Sequence, residues 1–149
     1  MRAADRSGAR VALVAYHQEA TVLSPLSADL GALRQTLAGL VTGQGTRIDR
    51  ALAQGQALLE GRRADAVGAL ILLTDGRVAA GQADARNRAA DLRAAGVELW
   101  WIGFGSDVDA AELGELAGDP SRLLLAPDAA ALSAAYANLP LIERCPSLR

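Results

Sequence analysis

The sequence lacks lysine altogether, and its 149 residues include a single cysteine, a single histidine and few aromatic side chains. A chain without lysine cannot contain the phosphate-binding motif Gly-x-x-x-x-Gly-Lys, and neither Gly-x-Gly-x-x-Gly nor Gly-x-Ser-x-Gly occurs in it. Cys145 has no second cysteine for an intrachain disulfide, and with His17 alone it cannot build a zinc site. These absences argue against common nucleotide-binding, zinc-dependent and serine-hydrolase chemistry, and we expect no enzymatic activity.

Long apolar runs and an excess of charge of one sign are absent as well. The net charge is −2 without any basic run, which argues against a nucleic-acid partner. No apolar run approaches the roughly 18 residues of a membrane-spanning helix, no signal peptide is recognised, and the sequence assigns no compartment. The length of 149 residues predicts one folded domain, placed over residues 1–140 and followed by a tail over 141–149, and the hydrophobic fraction of 51% argues against a disordered chain.

The first part of the chain predicts a hairpin and two helices. Arg10–Tyr16 reads as a buried strand, and Ala20–Leu23 as its antiparallel neighbour, with Pro25 ending the ladder or marking an edge. A leucine stripe after Ser27 predicts a helix that this serine caps, and a second helix is expected to start at Thr46.

From residue 67 onward, predicted strands and helices alternate, with connections long enough for crossovers. This alternation predicts an α/β fold: a three-layer sandwich around a mostly parallel sheet with one antiparallel edge strand. The predicted strands are Val67–Thr74, Val97–Phe104 and Arg122–Ala126, and the predicted helices are Ala83–Ala95, Asp109–Ala117 and Asp128–Asn138.

Candidate functional residues follow the ends of the predicted strands, where ligands bind in open parallel sheets. They are Asp75, Asp107 and the loop containing Gly43, Gly45 and Thr46. A carboxylate and a threonine hydroxyl are hard oxygen ligands that suit Mg²⁺. Simpler interpretations stay open, because Asp-Gly is a common turn pair and Thr46 is well placed to cap a helix.

Other conspicuous residues have structural interpretations. His17 is expected to be a solvated residue of the hairpin turn, and Ser106 and Asp107 are expected to form a turn and cap before the next helix. Trp100 and Trp101 are adjacent in a predicted strand, so their side chains should enter the core on opposite faces of the sheet.

Four segments, in the same order as in a known family and spread over nearly the whole chain, carry a resemblance. They are RVALVAY over 10–16, GQGTRIDRAL over 43–52, LILLTDGR over 70–77 and LWWIGFG over 99–105. With them the chain resembles the von Willebrand factor type A domain. The resemblance implies a metal-ion-dependent adhesion site in which Thr46 and Asp75 match two of three sequence parts, with Gly43 and Gly45 in the loop.

The same resemblance implies a function in protein–protein recognition, with Mg²⁺ or Mn²⁺ joining the site to an acidic side chain of the partner. Two alternatives remain open. The chain could be a subunit of an ATP-driven metal-chelatase or remodelling complex whose ATPase is a separate polypeptide, or a scaffold that binds its partner without metal.

The family's remaining sequence part, Asp-x-Ser-x-Ser after the first strand, has no counterpart here. Asp5-Arg-Ser7-Gly-Ala9 ends in alanine, and too few residues precede it to form the buried strand. We therefore expect the chain to lack the family's first strand, so that Mg²⁺ binds weakly or not at all. The strands at 10–16 and 67–74 should then face a gap, unless they close up, a partner supplies a strand, or the fold is unstable alone.

Overall fold

The fold contains five strands and five α-helices within residues 8–41, 43–77 and 81–139, the part of the chain that the computed structural model describes. The strands are β1 (Val11–Tyr16), β2 (Ala20–Ser27), β3 (Ala69–Thr74), β4 (Glu98–Phe104) and β5 (Leu123–Ala126). The helices are α1 (Leu30–Ala38), α2 (Ile48–Glu60), α3 (Gln82–Ala94), α4 (Ala110–Ala117) and α5 (Ala129–Ala137), with a 3₁₀ turn at Pro120–Arg122.

The strands form two hydrogen-bonded sheets. β1 and β2 form an antiparallel pair, and β3, β4 and β5 form a parallel sheet in that order. The expected α/β class is thereby confirmed. Within the described residues no ladder joins β1 to β3, so these two strands have not closed up on each other.

The core lies between the parallel sheet and helices α2, α3 and α4. In the ladder Leu72 is opposite Trp101, so both side chains point to the same face, and both are buried against these helices. Ile71 and Trp100 form the next opposed pair and point to the other face. The two tryptophans therefore enter the core on opposite faces, as the sequence predicts. Trp101 is completely buried, and Trp100 is 6% exposed.

Two details of the first hairpin and helix differ from the sequence-based prediction. Strand β2 continues through Pro25 to Ser27, beyond the predicted end at Leu23, so of the two alternatives Pro25 marks an edge rather than ending the ladder, because β2 pairs only with β1 among the described strands. The cap of α1 is Asp29, whose carboxylate accepts from the Ala32 N–H, while the Ser27 hydroxyl accepts from the Asp29 N–H. The leucine stripe therefore predicted the helix correctly, and only the choice of Ser27 as the cap placed the start two residues too early.

Some predictions fall outside the described residues. They concern the segment at Asp5 and Ser7, the tail over 141–149 and Cys145. None of the helices in the described ranges is long and apolar enough to cross a membrane.

Candidate functional site

A cleft of about 220 Å³ opens at the carboxyl ends of β1, β3 and β4, which is the edge where parallel sheets bind ligands. Strand ends and the loop before α2 supply its walls. The lining residues are Tyr16, Gly43, Gly45, Thr46, Leu73, Thr74, Asp75 and Phe104. The four residues predicted for the site, two with oxygen ligands and two glycines, thus meet in one cleft.

Thr46 lies before the helix rather than in its cap. Helix α2 begins at Ile48, its N-cap residue is Arg47, and no side chain caps it, so the interpretation of Thr46 as a helix cap is wrong. The Thr46 hydroxyl instead lies beside Gly76, where a Cβ would be only 3.3 Å from its oxygen. The hydroxyl therefore approaches the turn that carries Asp75, whose own side chain is exposed.

The two loop glycines allow the loop to pack tightly against the β1–β2 turn. A Cβ on Gly43 would lie 2.6 Å from the His17 ring, and Gly45 has a φ of +101° that favours glycine. The Arg47 N–H also donates to the His17 carbonyl at 2.9 Å. His17 is thus a half-buried turn residue, whose Nδ1 accepts from the Gln18 N–H, and not the solvated residue expected.

Tyr16 is the main cleft residue that the sequence-based analysis missed. Its hydroxyl donates to the Leu73 carbonyl at 2.9 Å, bridging the ends of β1 and β3. Burial raises the pKa of the Tyr16 phenol to about 12. A hydrogen bond with the Thr74 side chain lowers this pKa, and the negative charge of Asp75 raises it further. A tyrosine as the last residue of a strand that ends at the ligand-binding edge was the available signal.

We expect the Tyr16 phenol to make stability fall at alkaline pH. Its pKa is raised in the folded state, so its contribution is complete below pH 10 and is lost as the pH rises from 10 to 12. The loss should reach about 2–3 kcal/mol. Urea titrations of the native chain and Tyr16→Phe across this range would measure it, because the variant should lack this part of the pH dependence. Equal slopes for both proteins would contradict the burial of the phenol.

A buried carboxylate, Asp49, lies in the first turn of α2. The Arg47 guanidinium donates to both of its oxygens, at 2.8 and 2.7 Å, and these bonds hold the pKa of Asp49 below its usual value. Asp49 also contacts Gly81 before α3, where a Cβ would lie 2.6 Å from the carboxylate. With both oxygens held by Arg47, Asp49 has a structural role outside the cleft.

Ser106 and Asp107 do not line the cleft. Both are exposed in the bend after β4, as the predicted turn requires. The cap of α4 is Asp109 instead, whose carboxylate accepts from the Glu112 N–H at 3.0 Å.

The donor atoms in the cleft fit a divalent cation only in part. Thr46 and Asp75 provide a hydroxyl and a carboxylate, which are suitable oxygens, but Mg²⁺ requires near-octahedral coordination and gives up water reluctantly. Within the described ranges no three acidic, histidine or cysteine residues are grouped so as to hold a metal.

Solved structures similar to this chain contain von Willebrand factor type A domains. Proximal thread matrix protein 1 from the mussel byssus, solved with a zinc-occupied MIDAS motif, has a TM-score of 0.77 and 22% identity over 91% of this chain. The match covers 35% of the mussel chain, so this chain spans about a third of its length. Manganese-loaded TRAP protein from Plasmodium vivax has a TM-score of 0.74 and 25% identity over 90% of this chain and 57% of its own.

A type A domain from Catenulispora acidiphila gives a TM-score of 0.75, with 24% identity over 91% of this chain and 36% of its own. Among curated proteins, none matches the sequence significantly. The family profile of the von Willebrand factor type A domain matches residues 1–138. The chain therefore belongs to the von Willebrand factor type A domain family.

Proposed function

We propose that this domain is a protein-interaction module that recognises an acidic side chain of a protein partner at the cleft. The observation that supports this most is that the Thr46 hydroxyl and the Asp75 turn face the same opening. The cleft is small and open, and a single carboxylate group would fit it better than a large ligand.

A divalent cation fits this function because the cleft's own charge is negative. The Asp75 carboxylate would repel an acidic partner in the absence of a cation. Thr46 and Asp75 would hold Mg²⁺ or Mn²⁺, and the cation would offset the repulsion between the Asp75 carboxylate and the carboxylate of the partner. Two protein oxygens leave most coordination positions to water, so the domain alone should bind the cation weakly.

We expect calorimetric titration with Mg²⁺ or Mn²⁺ to show no saturable binding up to about 1 mM metal. A hydrated ion on one exposed carboxylate resembles a surface ion pair, which contributes only about 0–1 kcal/mol. Asp75→Asn should remove whatever weak binding remains. Micromolar affinity in the native chain would contradict the assignment of the site, because further ligands would then be required.

The interaction itself can be tested by selecting peptides from a random display library in about 5–10 mM Mg²⁺, which is about five to ten times the concentration up to which the domain alone should show no saturable binding. Selected peptides should contain Asp or Glu, and their affinity should fall at least tenfold in EDTA or with Asp75→Asn. Asp107→Asn is the matched control, because this exposed carboxylate lies outside the cleft. Binding that persists equally in EDTA and in Asp75→Asn would favour the metal-independent scaffold.

The alternative hypothesis is that the chain is a subunit of an ATP-driven complex, in which a separate ATPase would be the partner. It makes a different prediction, since an ATPase should then co-purify with the domain. No feature of the cleft favours that partner over another protein, and the interaction module is the simpler proposal.

A further inference from the structure

Exposed apolar side chains are grouped at the end of helix α1 and in the residue that follows. Leu33 is buried in the middle of the helix, whereas Leu37 and Leu40, further along the same stripe, are 47% and 49% exposed. Val41 is 84% exposed. We call Leu37, Leu40 and Val41 the tip surface. Apolar residues grouped on a surface, unlike single scattered ones, are typical of contact sites.

The path of the chain places the tip surface beside the cleft. Gly43 lines the cleft and packs against the His17 ring in the β1–β2 turn. Val41 precedes Gly43 by two residues, and two residues span at most about 7 Å. The Leu40 N–H donates to the Leu37 carbonyl at 3.1 Å, so these two leucines belong to one last turn directly before Val41. The tip surface is therefore continuous with the loop that forms one wall of the cleft.

The segment that carries the tip surface has no charge. Residues 35–46 contain no acidic or basic side chain, although 21% of the chain is charged. Other parts of the cleft rim are charged, because the Glu19–Arg50 ion pair lies at the β1–β2 turn and Asp107 lies in the bend after β4. The centres of protein interfaces are depleted of charged residues, since desolvating a charge is costly. Of these three parts of the rim, only the loop side offers an uncharged surface to a partner.

A carboxylate in the cleft provides too little contact for a specific complex by itself. The cleft has a volume of about 220 Å³, whereas specific interfaces bury about 800 Å² on each partner. The binding energy of such interfaces is concentrated in a few large side chains that become fully covered. A partner whose acidic side chain enters the cleft must therefore also contact the rim, and the tip surface offers apolar contact there.

We propose that the partner of the cleft places a large apolar side chain on the tip surface. Its binding motif is then an acidic residue with an aliphatic or aromatic residue close to it in sequence. An extended peptide advances about 3.3 Å per residue, so the short distance from Val41 to the cleft wall predicts a spacing of about two to four positions. This inference rests on the proposed function and adds the second half of the recognised motif.

Two displayed peptide libraries test the proposal on the 149-residue chain, in the same Mg²⁺ buffer as the random library. Both fix a central Asp. One library randomises the neighbouring positions among Leu, Ile, Val and Phe, and the other randomises them among Ser, Thr, Asn and Gln. The best peptides of the apolar library should bind at least about fivefold more tightly than those of the polar library, because they cover the tip surface.

Variants of the domain then locate the contact. Val41→Ser and Leu40→Ser should each weaken binding of the apolar peptides by about threefold to tenfold, and should leave the polar peptides nearly unchanged. Val67→Ser is the matched control, because this valine is 64% exposed just before β3, at the end of the sheet opposite the cleft. Equal losses for Val41→Ser and Val67→Ser would overturn the proposal.

The remaining outcomes separate the tip surface from the cleft. Binding that requires Mg²⁺ and Asp75 but ignores Val41→Ser and Leu40→Ser would overturn the tip surface and leave the cleft function intact. Binding that falls with Val41→Ser but persists in EDTA and in Asp75→Asn would support docking on the tip surface and contradict the cleft function. Failure of both libraries to enrich would overturn both. A native dimer that Val41→Ser converts to a monomer in sedimentation would show that a second copy covers the tip surface, which also overturns the proposal.

Discussion

Replacement of Trp101 by alanine is expected to lower the free energy of unfolding by about 3–5 kcal/mol. The side chain is completely buried in the centre of the parallel sheet, against helices α2, α3 and α4. Truncation would leave a large cavity in a layer whose backbone, fixed by two parallel ladders, cannot collapse to fill it. Urea denaturation followed by circular dichroism would measure the loss.

Two further variants separate packing from other effects. Leu125→Ala changes a residue of the same sheet that is 54% exposed, and it should cost within about 0.5 kcal/mol. Trp101→Phe should cost clearly less than Trp101→Ala, because it keeps most of the volume and removes an indole N–H that is buried without a hydrogen-bond partner in the described residues. A loss for Trp101→Ala no larger than that for Leu125→Ala would contradict the central position of this side chain.

The sequence predicted the regular elements well because their signals are local. Short apolar runs gave β3 and β4 to within two residues, the helix predicted over Ala83–Ala95 matches α3 to within one residue at each end, and Asp128 caps α5 as expected. The errors were at the ends of elements, where several polar side chains compete to cap the helix and the one that succeeds sets its first residue. Ser27 and Asp29 can both cap α1, and only the path of the chain after β2 selects Asp29.

The candidate site was predicted only in part, because its residues are distant in sequence and local patterns do not bring them together. Thr46 and Asp75 lie far apart in sequence, and the resemblance to a known family placed them together, as the cleft does. Tyr16 was missed because its role depends on a carbonyl in β3, and sequence patterns do not show which strand edge a hydroxyl will reach. His17 was placed in a turn correctly, but its contact with Gly43 is also long-range.

Gly81→Ala is expected to be among the most destabilising single-methyl changes in this chain. Gly81 has a φ of +78°, a conformation that costs a residue with a Cβ about 1–2 kcal/mol. The added methyl would also lie 2.6 Å from the Asp49 carboxylate, which is buried and held by Arg47. Since the carboxylate would have to move away from its partner, the total loss should be at least twice that of the backbone strain alone.

Gly96→Ala is the matched control at the other end of α3. Its φ of +79° is nearly the same, but a Cβ there would meet no atom within 4 Å, so this variant should show the backbone strain alone. Asp49→Ala makes room for the methyl at position 81 and leaves position 96 unaffected. A double-mutant cycle by urea denaturation should therefore give strong coupling between Asp49→Ala and Gly81→Ala and none with Gly96→Ala. Additive losses in both pairs would show that the Asp49 carboxylate does not restrict position 81.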